Sequence, residues 1–434
     1  MPLSIGGTEV YIHTLASLQK TAGHDVSVLT PHFEYYRPGQ LKEHYVHDGI
    51  DVYQFAEPSE PLNRQRLDGK RDREGLENFE KFILAFQPDI IHFHELTRSI
   101  GFSVEHVKIA KNAGIKTILT MHLSALTCNT NTLIYNNRLC KGKIRELDCS
   151  ICSMKTLSGV ASIASFPVAA FSIFSAGLGI TQKLPAGRLR TLLSFPLVVQ
   201  RIKKELSELV SHIDHFVSLT KWYERILIDN GVPGEKITVI PQALAAAGKI
   251  SVGNKAAAEG LPLRIIFIGR IQPQKGVDLL IDAVKGFTTD EVTVDIYGRE
   301  EDTAYYRQCI VSATSVAPVT FKGVIAREEV LDKLAGYDIL CLPSTFSEMS
   351  PLVIQEAFAA GIPVLASKVY GNAEQIKDGH NGMLFDFKSS KSLRQQIEKL
   401  LIQPALLPKM RMNIRPPDNF DSINSRYMQL YKQD

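Results

Sequence analysis

Two cationic side chains occupy a short turn in the second half of the chain. Arg270 and Lys275 lie in GRIQPQKG (269–276), between an apolar run that predicts a strand ending at Gly269 and an amphipathic run that predicts a helix. Both cations can therefore reach an anion near the start of that helix, which suits a phosphate. Two solvated loop cations are the alternative interpretation.

Two carboxylates flank a second predicted helix start, in PSTFSEMSPLVIQEAFAAGIPVLAS (343–367). Glu348 precedes a helix that should begin near Pro351, and Glu356 lies about two turns inside it. Carboxylates so placed can hold sugar and ribose hydroxyls, although acidic bias at a helix start is the alternative. Backbone N–H groups at the positive helix end also suit a phosphate, namely those of Met349, Ser350 and Leu352.

The elements around these loops alternate short apolar strands with amphipathic helices, which is typical of parallel sheets covered by helices on both faces. Two such blocks predict an α/β chain of two Rossmann-like, doubly wound domains. No strand precedes the GGTE turn (6–9), so the first domain should lack its first strand. The predicted divisions are 1–245 for the first domain, 246–410 for the second, and 411–434 for a last helix that crosses back to the first. The predicted strands are 25–30, 50–55, 89–94, 116–122, 214–219, 236–241, 263–269, 292–298, 338–343 and 363–367.

Composition narrows the function classes. The chain has 434 residues, 49 Lys and Arg against 46 Asp and Glu, and a formal net charge of +3, which gives no support to nucleic-acid binding. Six cysteines are too few for a disulfide scaffold at this length. The sequence MPLSIGGTEV has no signal-peptide pattern, so we expect a cytoplasmic protein.

An insertion at about 123–200 carries two further features. Cysteines spaced C-x11-C-x8-C-x2-C would hold a structural zinc or would simply be buried and reduced: Cys128, Cys140, Cys149 and Cys152. Residues 156–182 contain no charge, and 156–204 contain no acid but six basic residues. We expect no membrane span there, because strands of one domain lie on both sides of it. An interfacial segment on an anionic membrane, or helices packed over the domain, are the two interpretations.

Taken in order, these motifs and several others resemble glycosyltransferase family 4, whose members have the GT-B fold. The resemblance implies two Rossmann-like domains that face a central cleft, and a relationship to bacterial surface-polysaccharide glycosyltransferases. The usual Gly-Gly turn is here Tyr370–Gly371. The matching segments are GGTE (6–9), AGHDVSVLT (22–30), PDIIHFHE (88–95), TMH (120–122), EKITVIP (235–241), GRIQPQKG (269–276), residues 343–367 and NGMLF (381–385).

The resemblance also implies an activity: retaining transfer of a sugar from a nucleotide-diphosphate donor to a hydroxyl of a glycan or lipid-linked acceptor. Arg270 and Lys275 would neutralise the diphosphate, with Gly269 ending the strand before them. Glu348 would hold donor-sugar hydroxyls and Glu356 the ribose, while Met349, Ser350 and Leu352 would supply N–H groups. From the first domain, Gly6 and Gly7 would approach the diphosphate and His122 the donor sugar.

No cofactor is expected for catalysis, because the chain has no Asp-x-Asp metal motif and Glu300, Glu301 and Asp302 read better as a helix start. The location would be cytoplasmic, or peripheral on the inner membrane face. A degenerate, non-catalytic GT-B protein and a nucleotide-sugar epimerase are the alternatives. His92 and His94 are either a metal pair or satisfied strand-end histidines, and the second interpretation is favoured.

Overall fold

The computed structural model describes residues 7–32, 41–56, 73–96, 101–159, 162–185, 187–244 and 261–433. The chain divides into two compact units. Unit 1 is Met1–Ile240 with Asn424–Asp434, and unit 2 is Pro241–Ile423. Both are α/β assemblies built on parallel strands, as the sequence predicts.

Unit 2 is a six-stranded, fully parallel sheet in the order β12-β11-β10-β13-β14-β15. β10 pairs with both β11 and β13, so the strand order reverses beside it, and ligands of such sheets bind beyond the carboxyl ends of the strands at that point. The strands are β10 (Leu263–Ile268), β11 (Val292–Tyr297), β12 (Val319–Gly323), β13 (Ile339–Leu342), β14 (Val364–Ser367) and β15 (Gly382–Phe385).

The helices of unit 2 cover both faces of this sheet. Alternate residues of β10 enter two core clusters: Ile265 and Phe267 belong to one, and Ile266 to the other. Because both faces are covered, β13 and β14 are buried at every residue. The helices are α10 (Val277–Ala283), α11 (Thr303–Ala313), α12 (Val330–Leu334), α13 (Leu352–Ala359), α14 (Tyr370–Gln375), α15 (Ser390–Ile402) and α16 (Leu406–Met412), followed by α17 (Phe420–Tyr431), which runs on into unit 1.

Unit 1 contains a parallel four-stranded sheet, a mixed three-stranded sheet and a small hairpin. In the mixed sheet β3 pairs in parallel with β1 and antiparallel with β2. The four-stranded sheet has the order β4-β5-β8-β9. The strands are β1 (Ser27–His32), β2 (Leu41–His47), β3 (Ile50–Ala56), β4 (Ile90–His94), β5 (Lys116–Met121), β6 (Ile134–Tyr135), β7 (Arg138–Leu139), β8 (His215–Ser218) and β9 (Ile237–Val239).

The helices of unit 1 include α1 (Gly7–Thr21), which begins at the GGTE turn, and, among the described residues, five helices between β7 and β8. The residues where a strand before α1 would lie, 1–6, are outside the described residues. In the described part of the chain, no helix has both the length and the apolar character to cross a bilayer. The helices are α1 (Gly7–Thr21), α2 (Arg73–Phe86), α3 (Val104–Asn112), α4 (Glu146–Ser158), α5 (Ser162–Gly177), α6 (Ile180–Lys183), α7 (Arg188–Leu193), α8 (Phe195–His212) and α9 (Lys221–Asp229).

A buried polar network fastens the end of α17 to the sheet of unit 1. The ring of His92 contacts the Tyr431 hydroxyl through Nδ1 and the Thr120 hydroxyl through Nε2, each at 2.7 Å. The Tyr427 hydroxyl lies 3.0 Å from that of Thr120 and accepts a bond from the Tyr11 hydroxyl at 2.9 Å. With both ring nitrogens partnered, His92 fits the satisfied-histidine interpretation.

Burial of His92 and of the neighbouring His94 and His122 makes the stability of unit 1 depend on pH. It lowers the pKa of His92 to about 3 and that of His122 to about 4, and it lowers the pKa of His94 as well. An unfolded histidine titrates near 6.5, so in acid the unfolded chain takes up protons that the folded unit does not. The free energy of unfolding should therefore fall as the pH drops from about 6.5 to about 4.

A substitution should reduce this dependence. We expect His92→Gln to lessen the slope of unfolding free energy against pH by up to about 1.4 kcal/mol per pH unit between pH 6.5 and 4. Urea denaturation at half-unit pH steps measures the slope. The control is His24→Gln, which alters an exposed histidine of the same unit. Parallel pH profiles for wild type and His92→Gln would contradict the assignment.

Candidate active site

The turn that carries Lys275 is attached to the loop after β13. Residues Pro273–Lys275 form a short 3-10 turn, and Gly276 follows with φ +66°. A β-carbon at Gly276 would lie 2.0 Å from the carbonyl oxygen of Pro343, so only glycine fits. The Thr345 N–H donates to the Gln274 carbonyl at 2.8 Å. The two loops that follow neighbouring strands β10 and β13 therefore meet closely.

This attachment brings Lys275 and Glu348 together. Lys275 Nζ lies 2.6 Å from Glu348 Oε1, and the two side chains are only 16% and 8% exposed. The Ser344 hydroxyl donates to the same carboxylate oxygen at 2.7 Å. The ammonium also lies 5.3 Å from the ring centroid of Phe346. Each charge is desolvated and compensated mainly by the other, so removing either one would leave a buried charge unpaired.

Close backbone contact fixes the loop around Glu348 from the other side. A β-carbon at Gly371, in the first turn of α14, would lie 2.2 Å from the Glu348 carbonyl oxygen and 2.5 Å from that of Met349. The Ser367 hydroxyl donates to the Ser344 carbonyl at 2.7 Å, and Asn372 Nδ2 donates to the Ser367 carbonyl at 3.0 Å. In the sequence, Gly371 was noted only as the second residue of the Tyr370–Gly371 turn. No local pattern indicated a role for the hydroxyls of Ser344 and Ser367.

Helix α13 begins where the sequence placed it. Pro351 is its N-cap residue and Leu352 its first residue, so its free N–H groups follow Glu348 directly along the chain. Met349 is buried, and Ser350 and Leu352 are half-buried. Asp302, part of the acidic run read as a helix start, caps α11 by accepting the Tyr305 N–H at 3.0 Å.

The structure gives Arg270 a different partner from Lys275. Its side chain is 58% exposed, and its guanidinium lies 3.8 Å from the Glu301 carboxylate. Gly269 directly follows β10 and is in close contact with Gly298, which follows β11: a β-carbon at Gly298 would lie 1.8 Å from the Gly269 carbonyl oxygen. Of the two predicted cations, the structure brings Lys275, not Arg270, into contact with Glu348.

The first-domain candidates lie in unit 1. Gly7 opens α1 and is exposed, while Gly6 falls outside the described residues. His122 follows β5 and is buried, with Nε2 at 3.1 Å from Nδ1 of His94. Glu95 Oε2 accepts the backbone N–H groups of His122 and Leu123 at 2.8 Å. This fixes the backbone at His122, while burial lowers the pKa of its ring and keeps the ring neutral.

The four cysteines of the insertion are brought near one another. Cys149 and Cys152 lie on α4, and Cys140 follows the β6–β7 hairpin. The Gly142 N–H donates to Cys140 Sγ and the Arg145 N–H to Cys149 Sγ, each at 3.4 Å. Burial raises the thiol pKa of Cys140, Cys149 and Cys152, and the charge of Cys128 raises each further. Among the described residues, His13, His47 and Asp48 form the group whose possible metal-ligand atoms all lie within 4.8 Å of one another. The cysteines do not form such a group, so their sulfur atoms lie farther apart.

Burial also acts on Glu356, the second predicted donor-binding carboxylate. It raises the pKa of the carboxyl group, an effect that the charge of Arg327 partly offsets. A carboxyl group whose pKa is higher in the folded than in the unfolded state lowers the free energy of unfolding when the pH is above both pKa values. This cost disappears at a pH low enough for the group to be protonated in both states. The ionised form at neutral pH therefore costs stability, as is common for groups that serve a ligand.

Glu356→Gln should accordingly raise the melting temperature of the protein at pH 7. The gain should shrink as the pH falls towards 4, because the wild-type carboxyl is then protonated in both states. Thermal denaturation followed by circular dichroism at pH 7 and pH 4 measures it. Glu328→Gln changes an exposed carboxylate of the same unit and is the control. A gain that is equal at both pH values would count against this cause.

The sequence matches the models of two glycosyltransferase domain families. The profile of the group 1 glycosyl transferases matches residues 254–416, and that of the glycosyl transferase 4-like domain matches residues 6–146. The chain is 25% identical, over 252 residues, to an uncharacterized 41.2 kDa protein in the cps region of Klebsiella pneumoniae. That alignment covers 55% of this chain and 68% of the other.

Two further relatives extend the comparison. The D-inositol 3-phosphate glycosyltransferase of Streptomyces coelicolor is 29% identical over 202 residues, which is 42% of this chain and 44% of that enzyme. The chain thus matches less than half the length of that relative. The crystal structure of Anabaena HepE in complex with UDP and glucose aligns with a TM-score of 0.58 at 14% identity, over 98% of this chain and 95% of HepE, and shares its fold. The chain belongs to the glycosyltransferases of the family 4 type, with the GT-B fold.

Proposed function

We propose that this protein transfers a sugar, with retention of anomeric configuration, from a nucleotide-diphosphate donor bound in unit 2 to an acceptor hydroxyl. The observation that carries the proposal is the buried contact between Lys275 and Glu348, 2.6 Å apart at the carboxyl ends of β10 and β13. That is the point of a doubly wound sheet where ligands bind. The HepE complex with UDP and glucose supports a donor of this class.

The pair has the chemistry that such a donor needs. Negative charge builds on the diphosphate as the glycosidic bond breaks, and the Lys275 ammonium and the first-turn N–H groups of α13 would stabilise it. Glu348 would accept hydrogen bonds from hydroxyls of the donor sugar. Both side chains are already desolvated in the folded protein, so little reorganisation is required when the donor binds.

The other predicted residues complete this proposal. Glu356 would hold the ribose hydroxyls, Arg270 would exchange its contact with Glu301 for the diphosphate, and His122 would contact the donor sugar. The leaving phosphate would help to deprotonate the acceptor, and no divalent metal would be required. The acceptor would be a glycan or lipid-linked sugar of a bacterial surface polysaccharide, for which the relative in the Klebsiella cps region gives support.

A double-mutant cycle separates a catalytic pair from a structural one. Lys275→Met and Glu348→Gln should each destabilise the protein by about 3–5 kcal/mol, because each leaves a buried charge unpaired. The double variant should recover most of that stability but not the transfer activity, which we expect to remain at least about 100-fold down in kcat/KM. Urea denaturation and a nucleotide-release assay with a panel of nucleotide sugars are the measurements. Lys285→Met, an exposed lysine of the same unit, is the control.

Each result of this cycle has a definite meaning. Recovery of both stability and activity in the double variant would make the pair structural and overturn the site. Absence of thermal stabilisation by every nucleotide sugar would favour the non-catalytic alternative. Conversion of the donor sugar without an acceptor would favour the epimerase.

We also propose that a structural zinc draws Cys128, Cys140, Cys149 and Cys152 together. Zinc favours four thiolates in a tetrahedron, and backbone N–H groups that donate to sulfur stabilise the thiolate form. Gly142 and Arg145 supply two such donors, to Cys140 and Cys149. The metal would contribute to the folding of the insertion and would have no part in sugar transfer.

Metal removal tests this site. The purified full chain, reduced and loaded with zinc, should hold about one zinc per chain by plasma mass spectrometry, and a chelator should lower its melting temperature. The double variant Cys149→Ser/Cys152→Ser should no longer bind zinc. Cys309→Ala, which alters a buried core cysteine of unit 2, should bind zinc like the wild type. Less than 0.1 zinc per chain in the wild type would leave the reduced-cysteine interpretation.

A further inference from the structure

Helix α5 in the insertion buries its small side chains and exposes its large apolar ones, the reverse of the usual arrangement. Ser165, Ala169, Ser172 and Ala176 follow one another at intervals of four, three and four residues, and all four are buried. This face packs towards α4, where Ala169 joins a small cluster with Ile151, Met154 and Phe195. The small face is therefore the one that holds α5 to the unit.

The opposite arc of α5 and the segments that follow present large apolar side chains to solvent. Three phenylalanines lie on this arc, and aliphatic residues continue it beyond the helix. We call this set the apolar face. Its members are between 46% and 63% exposed: Phe166, Phe171, Phe174, Leu178, Ile180 and Leu189. In a helix that only covers a domain, the aromatic residues would pack inward and the serines outward. So many large, exposed apolar side chains within one segment mark a surface with a partner.

The segment that carries the apolar face has charge of a single sign. Residues 156–204 contain no Asp or Glu, and Lys183 and Arg188, next to the apolar face, are exposed. Farther along, on α8, Arg201 pairs with Glu205 at 2.8 Å and Lys204 lies 3.8 Å from Glu208. Lys183 and Arg188 therefore place positive charge beside the apolar face, in a stretch of the chain that has no acidic residue.

This combination favours a membrane surface over a second copy of the chain. In a two-fold dimer the same patch faces itself, which would bring Lys183 and Arg188 towards their own copies and cost free energy. An anionic leaflet instead attracts these cations while the phenylalanines enter the headgroup region. Helix α5 has 16 residues, about 24 Å, and contains Pro167, which suits a helix lying in the interface rather than one crossing a hydrocarbon core of about 30 Å.

We propose that the apolar face, with Lys183 and Arg188, binds the headgroup region of an anionic membrane. Binding requires no sugar transfer, so it stands or falls separately from the function proposed above. It deepens that function by keeping unit 1 at the surface where a lipid-linked acceptor would lie.

Vesicle flotation tests the proposal with the full chain. Wild type should float with vesicles of phosphatidylcholine and phosphatidylglycerol (7:3), and much less with phosphatidylcholine alone. The variant Phe166→Ser/Phe171→Ser/Phe174→Ser should lower the partition coefficient about tenfold or more. Lys183→Gln/Arg188→Gln should remove the preference for anionic vesicles. These positions are exposed, so circular dichroism should show unchanged folding.

Matched controls and a second measurement make the test decisive. Val311→Ser/Ile402→Ser removes apolar side chains of unit 2 that are at least as exposed, and Arg307→Gln/Lys333→Gln removes exposed cations there; both variants should float like wild type. Equal flotation of wild type and the triple serine variant would overturn the proposal. So would a wild-type dimer in sedimentation velocity that the triple variant dissociates, combined with no vesicle binding, because the occupant would then be a second copy.

Discussion

The structure of unit 2 around its candidate site depends on one constraint: two opposite charges are buried in contact where two neighbouring strands end. Lys275 and Glu348 are too poorly hydrated for either to be stable alone, so the loops that carry them must stay together. Glycines at 276 and 371 permit this, because any side chain there would enter the space of a facing carbonyl group. The backbone therefore accepts two positions restricted to glycine so that an ion pair can be held largely away from solvent.

The same logic, with neutral groups, organises unit 1. His92, Thr120, Tyr427 and Tyr11 form a buried series of hydrogen bonds that depends on an uncharged His92 ring. Burial supplies that condition by lowering the histidine pKa values. These hydrogen bonds connect β4 and β5 to residues more than 300 positions later in the sequence, so the end of the last helix is an integral part of unit 1. Ionic compensation in unit 2 and neutral pairing in unit 1 are two solutions to the same cost of burying polar groups.

The insertion follows a different rule, because its outward face is apolar and its inward face is small. Serines and alanines bring α5 close to its neighbours, and the phenylalanines that a soluble helix would bury remain at the surface. Packing within the unit does not account for this arrangement, whereas the proposed contact with an anionic membrane would. The cysteines lie at the base of the same insertion, on α4 and beside the hairpin. A metal there would stabilise the base from which the apolar face projects.

The sequence by itself determined the alternation of strands and helices, the ends of most strands and the start of α13, because hydrophobic period and helix-start residues are local properties. It also identified Lys275 and Glu348 as candidates through their motifs. Only the tertiary structure decided that these two touch while Arg270 contacts Glu301, since neighbours in a parallel sheet are separated by a whole crossover along the chain. Strands β2, β12 and β15 and the β6–β7 hairpin were not predicted, because edge strands and short hairpins have weak periodicity. Whether His92 would be charged or neutral was likewise decided by burial, which no run of adjacent residues encodes.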